Sequence, residues 1–127
     1  MNTEDLIRPP VAVGHVWLKV TDIPQATQYF VMLGLRVVHQ AQTIAVLELR
    51  GGTHLVLQPT QEPSAVGTKA PFDLMVDDIV TTQQKWSAMG LNPSALESGV
   101  VHRSFTLPGP DGYIVTVTSS HTGGRVV

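Results

Sequence analysis

Five histidines and no cysteine set the range of chemistry open to this chain of 127 residues. Without thiolates there is no disulfide framework, no thiolate zinc site and no cysteine nucleophile. No serine stands in a Gly-x-Ser-x-Gly elbow and no glycine-rich nucleotide loop occurs, so nucleophilic catalysis and phosphate cradling have no recognisable carrier. What remains is imidazole and carboxylate chemistry. His15 and His54 can ligate a divalent ion or move a proton, Glu48 lies close to His54 in sequence, and Lys19 or Arg103 can steady an anion. His102 and Arg103 are adjacent, so at most one of them faces inward on a strand. The pair Asp77-Asp78 reads as a strand-to-helix junction in which Asp78 caps a helix, a simpler role than general acid.

The elements that must position these groups are written in an internal repeat. Val20-Thr21-Asp22-Ile23 matches Val76-Asp77-Asp78-Ile79 at an offset of 56 residues, and the same offset places Phe30 on Trp86, Leu33 on Met89 and Gly34 on Gly90. Gly52-Thr53-His54-Leu55-Val56-Leu57 matches Gly112 to Val117 at an offset of 60, the extra residues falling in the turn Pro108-Gly109-Pro110-Asp111. Residues 13–20 alternate, with His15, Trp17 and Lys19 on one face and Val16, Leu18 and Val20 on the other. Asp22 caps a helix in which Ala26, Tyr29, Phe30 and Leu33 form one apolar stripe, and Gly34 ends it. Strands follow at about 36–40, 43–50 and 53–58, with Gly51-Gly52 as the hairpin turn. The second half repeats the order: a strand at 71–77, a helix at 80–89, then strands near 100–107 and 113–119. The spacing predicts an α+β fold of two tandem βαβββ modules, with a lead at 1–11, modules at 12–60 and 71–119, a linker at 61–70 and a tail at 120–127. Lead and tail are expected to be unstructured.

Composition narrows the partners. Eight Lys+Arg against ten Asp+Glu leave a net charge of -2, so no basic surface for nucleic acid or an anionic membrane is expected. No apolar stretch approaches the ~20 residues of a bilayer span, and the acidic start lacks a secretion signal. The expected location is cytoplasmic.

The segments Gly14 to Asp22, Phe30-Val31-Met32-Leu33-Gly34-Leu35, Val76-Asp77-Asp78 and Pro108 to Tyr113 carry a family likeness. Through them the chain resembles the vicinal oxygen chelate superfamily, which includes glyoxalase I, extradiol dioxygenases, and bleomycin- and fosfomycin-resistance proteins. The resemblance implies a cup-shaped mixed sheet, and in metal-binding members one ligand from the first and last strand of each half. The matching positions here are His15, Val56, Pro71 and Thr116; only one is a good ligand. Substitutes are conceivable. His54 shares the face of Val56, and Glu48 joins it if the Gly51-Gly52 turn has three loop residues, pairing Glu48 with Val56. A two-residue loop pairs Leu47 with Val56 and turns Glu48 away.

The preferred reading is a metal-free protein that holds a small, partly apolar molecule, with no cofactor and no assigned catalytic residue. Its ligand-binding residues are His15, Trp17, Lys19, His54, Val56, Asp73, Met75 and Thr116. Trp17 and Met75 are assigned to the cup because Leu18 and Leu74 claim the helix-facing core. Lys19 and Asp73 are otherwise a solvated rim pair, and His15 taken alone is a strand-end histidine bonded to backbone or water. The alternatives are a divalent-metal lyase or dioxygenase using His15, and a metal-independent enzyme with His15 as acid or base. The open cup and sheet edges, like the resemblance, imply a homodimer.

Overall fold

Asp22 turns the chain from strand into helix, its carboxylate accepting the Gln25 N–H at 3.0 Å. Pro24 fits the first turn because N–H groups there have no intrahelical acceptor. Ile23, Ala26 and Phe30 share the buried face, and Gly34 closes the helix at φ 110°, a conformation that costs glycine little. Asp78 starts the second helix in the same way, accepting the Thr81 N–H at 3.0 Å. Those hydrogen bonds to Thr81 hold the Asp78 carboxyl below its ordinary value.

The computed structural model describes residues 2–127. The first module contains β1 (His15–Val20), α1 (Ile23–Leu33), β2 (Arg36–Gln40), β3 (Ala45–Glu48) and β4 (His54–Pro59). The second contains β5 (Lys69–Val76), α2 (Ile79–Ala88), β6 (Glu97–Ser98), β7 (Arg103–Pro108) and β8 (Ile114–Ser119). Each module is a four-stranded mixed sheet, ordered β1-β4-β3-β2 and β5-β8-β7-β6. The strands β1 and β4 pair in parallel, as do β5 and β8, and the other pairs are antiparallel. The tandem βαβββ architecture expected from the repeat is the one the chain adopts.

Four details differ from expectation. Strand β5 begins at Lys69, inside the stretch read as linker, because Lys69 pairs with Ile114. The strand expected near 100–107 starts at Arg103, and the short β6 precedes it. The lead is not structureless: Thr3–Leu6 form a 3-10 turn capped by Asn2, which accepts the Glu4 N–H at 3.2 Å. Nor is the tail loose, since the Val126 N–H donates to the Asp5 carbonyl at 2.8 Å.

Both helices cover the same side of the sheets. Leu18, Val20, Phe30, Leu47, Leu55 and Leu57 are buried there in the first module, and Phe105, Leu107, Val115 and Val117 in the second. Trp86 meets Phe105 edge-on at 5.9 Å. Phe30 of α1 reaches Phe72 of β5 at 6.4 Å, so the two helix-facing sides are continuous and the two opposite faces are open together. Between the sheets, β1 lies beside β5 and runs the opposite way. At one end the Asp111 carboxylate accepts the backbone N–H and hydroxyl of Thr21, at 2.7 and 2.6 Å. At the other end Arg50 donates to Asp77 at 2.8 Å. The two contacts are related by the internal repeat: each module's last turn clamps the strand-to-helix junction of the other. The Tyr113 hydroxyl also donates to the Lys19 carbonyl at 3.1 Å. Among the described residues, no helix is long and apolar enough to cross a membrane.

Candidate functional site

Alternation along β1 leaves His15, Trp17 and Lys19 exposed on the face opposite Leu18 and Val20. Register then fixes their neighbours. His15 lies across from His54, Trp17 from Val56 and Lys19 from Gln58 on β4. Strand β3 places Glu48 beside His54 and Val46 beside Val56, and β2 places Arg36 beside Glu48. One row across the open face therefore reads His15, His54, Glu48, Arg36, and the next Trp17, Val56, Val46.

The hairpin resolves the orientation of Glu48. The Leu49 N–H donates to the Thr53 carbonyl at 2.8 Å, leaving Arg50, Gly51 and Gly52 as a three-residue loop, with Gly51 at φ 82°. Glu48 thus faces the open side, although its partner is His54 rather than Val56. Its carboxylate accepts from Arg36 and meets His54 Nε2 at 3.1 Å. These contacts, led by Arg36, hold the Glu48 carboxyl below its ordinary value. The imidazoles of His15 and His54 lie 5.9 Å apart, tilted by 42°, and His15 and Trp17 lie 5.7 Å apart, tilted by 37°. Three rings form a continuous strip.

Among the described residues, no three His, Asp or Glu side chains converge on a position that could hold an ion. Val56 and Pro71 offer no donor at two of the matching positions, Thr116 only a neutral hydroxyl, and Glu48 is occupied by Arg36. The arrangement instead offers a π surface with imidazole donors and acceptors, bordered by the Lys19 ammonium.

On the second sheet Asp73 lies across from Thr116, itself across from Thr106, and Met75 lies across from Thr118. Asp73 and Thr116 line a recess of about 250 Å³ with Lys69 and Pro71. Met75, also exposed, stands with Asp73 at the seam beside β1. Lys19 and Asp73 form no ion pair among the described residues. Arg103 is not an anion-steadying partner of His15: it shares the parity of buried Phe105, on the helix side, where its charge acts on Asp78. His102 packs against His121 at 5.3 Å, away from the strip. The residue that sequence reasoning left out is Arg36. Its signal was an arginine opening a strand next to one ending in glutamate, and it needed the β2–β3 register to be seen.

Sequence comparison finds no matching family model and no matching curated protein. Structural comparison does find proteins of similar fold. The lactoylglutathione lyase of Agrobacterium tumefaciens superposes with a TM-score of 0.72 at 19% identity, over 90% of this chain and 97% of that one. A glyoxalase/bleomycin resistance protein/dioxygenase from Alicyclobacillus acidocaldarius gives 0.71 at 18% identity, over 89% and 94%. The bleomycin-binding protein of Streptomyces verticillus, solved with copper(II)-bleomycin, gives 0.67 at 16% identity, over 89% and 99%. The chain has the tandem βαβββ fold of the glyoxalase, bleomycin-resistance and dioxygenase proteins of the vicinal oxygen chelate superfamily.

Proposed function

We propose that the chain binds a small, partly aromatic molecule against its open face, without a catalytic divalent metal. The observation that carries this reading is Trp17, which stands 51% exposed beside His15 instead of filling the core, with Met75 exposed across the seam. A large aromatic left to water on a concave face is a surface that gains by covering. His15 and His54 supply directional hydrogen bonds, Lys19 a charge, and Val56 and Thr116 the floors of the two sheets. The bleomycin-binding protein of the same fold supports the reading, as does the engagement of Glu48 by Arg36. A divalent-metal lyase or dioxygenase is the second reading, favoured by one observation: Glu48, His54 and His15 do share a face.

Purified protein is expected to carry no near-equimolar zinc, nickel, iron or manganese by elemental analysis. A screen of planar aromatic compounds is expected to quench Trp17, and Trp17→Ala to weaken the best binder by at least about tenfold. Equimolar metal that disappears in His15→Ala would replace this reading with the metalloenzyme. We further propose a homodimer. All of β2, including Val37 and Val38, is exposed at the outer edge of its sheet, and a second copy would cover it.

A further inference from the structure

The seam between the modules holds a groove that runs from the helix side to the border of the open face. Strands β1 and β5 are the facing edges of their sheets, and no ladder joins them. The gap widens near the Arg50–Gly52 loop into a groove of about 470 Å³, walled by Val16, Leu49, Phe72 and Leu74. A smaller recess of about 150 Å³ continues it, sharing Leu49, Arg50 and Leu74 and reaching Leu35 at the end of α1 and Trp86 of α2. Val16, Leu35, Leu49 and Phe72 are half-buried, packed on the core below and uncovered above. The wider part alone is within the size range of small-molecule sites, roughly 300–1,000 Å³.

One cation serves this apolar channel. Arg50 lines both parts and stands where they meet. Its partner is Asp77, 2.8 Å away, with both side chains mostly in solvent. Such a pair is weakly held, and a planar guanidinium can take a carboxylate from a ligand in exchange. Asp73 adds a negative charge at the wide end, and Glu48, paired with Arg36, adds one at the recess, which disfavours a second anionic group on the ligand.

We infer that the seam groove binds an apolar monocarboxylate, its body on Leu49, Leu74 and Trp86 and its carboxylate on Arg50. The groove shares Asp73 and Met75 with the open-face site, and the two readings are told apart by their tryptophans, Trp86 for the groove and Trp17 for the open face. Trp86 is 5% exposed and lines the recess, so it reports occupancy directly.

The experiment uses the full chain carrying Trp17→Phe, so that Trp86 alone emits, titrated with decanoate, decanol and decanedioate. Decanoate is expected to change Trp86 emission saturably, binding at least about tenfold more tightly than decanol or decanedioate. Arg50→Gln, an exposed substitution, is expected to bring decanoate down to the level of decanol. Asp77→Asn, which frees Arg50, is expected to tighten decanoate several-fold. No saturable response, equal binding of decanoate and decanol, or decanoate binding unchanged in Arg50→Gln would each overturn the inference. None of these outcomes bears on Trp17 quenching by aromatic compounds in the unmodified chain.

Discussion

Glu48 stands between an arginine and two imidazoles on the open face. A carboxylate beside two imidazoles is metal-ligand material, and here Arg36 on the neighbouring strand pairs with it. The same contacts lower the Glu48 carboxyl from its ordinary 4.5. A carboxylate lowered by folding stabilises the fold above its ordinary value, and that contribution is lost as pH falls through its folded value. The urea midpoint is therefore expected to drop as pH falls below about 5, and to drop less in Glu48→Gln. An identical pH dependence in that variant would mean that the Arg36–Glu48–His54 row contributes nothing. Asp78 adds a part that Glu48→Gln leaves in place, since its lowering comes from Thr81 at the helix start.

At the scale of elements, the two sheets differ at their outer edges. Strand β6 has only two residues, a short edge that offers little to pair with. Strand β2 has five, all exposed, with a register irregularity between Val37 and His39. A bulge twists an edge but leaves its flanking backbone groups open. The proposed homodimer thus uses the β2 edge in preference to β6. Sedimentation at micromolar concentration is expected to show a dimer, and Val38→Lys to shift it toward monomer. A monomeric unmodified chain would remove the proposal.

The whole molecule is two similar modules held by unequal clamps. The Asp111 carboxylate makes two hydrogen bonds to Thr21, one of them to the backbone N–H that precedes the α1 cap. Its repeat counterpart, Arg50 to Asp77, is one contact between exposed side chains. Hydrogen bonds to a charged acceptor outweigh an exposed ion pair. Asp111→Ala is expected to cost about 1–2 kcal/mol of unfolding free energy, and Arg50→Ala about 0–1 kcal/mol, in denaturant titrations. Equal losses would show that the clamps are equivalent. The seam groove lies at the end held by the weaker contact, Arg50.

What the sequence determined by itself is what short-range physics controls. Alternation over His15 to Val20 assigned the faces of β1, Asp22 and Asp78 marked helix starts through their own side-chain oxygens, Gly34 marked a helix end and Gly51-Gly52 a hairpin turn. Repetition of that punctuation at a nearly constant offset gave the two modules and so the fold. The tertiary structure decided everything that depends on which distant segments meet. Loop size in the β3–β4 hairpin set the register that turned Glu48 to the open face, and a one-residue difference would have turned it away. Pairing of β2 with β3 delivered Arg36 to Glu48, while strand parity in β7 sent Arg103 to the helix side. The seam groove is made of residues from both modules, and no local pattern specifies it: its walls come together only where two edge strands pack without pairing.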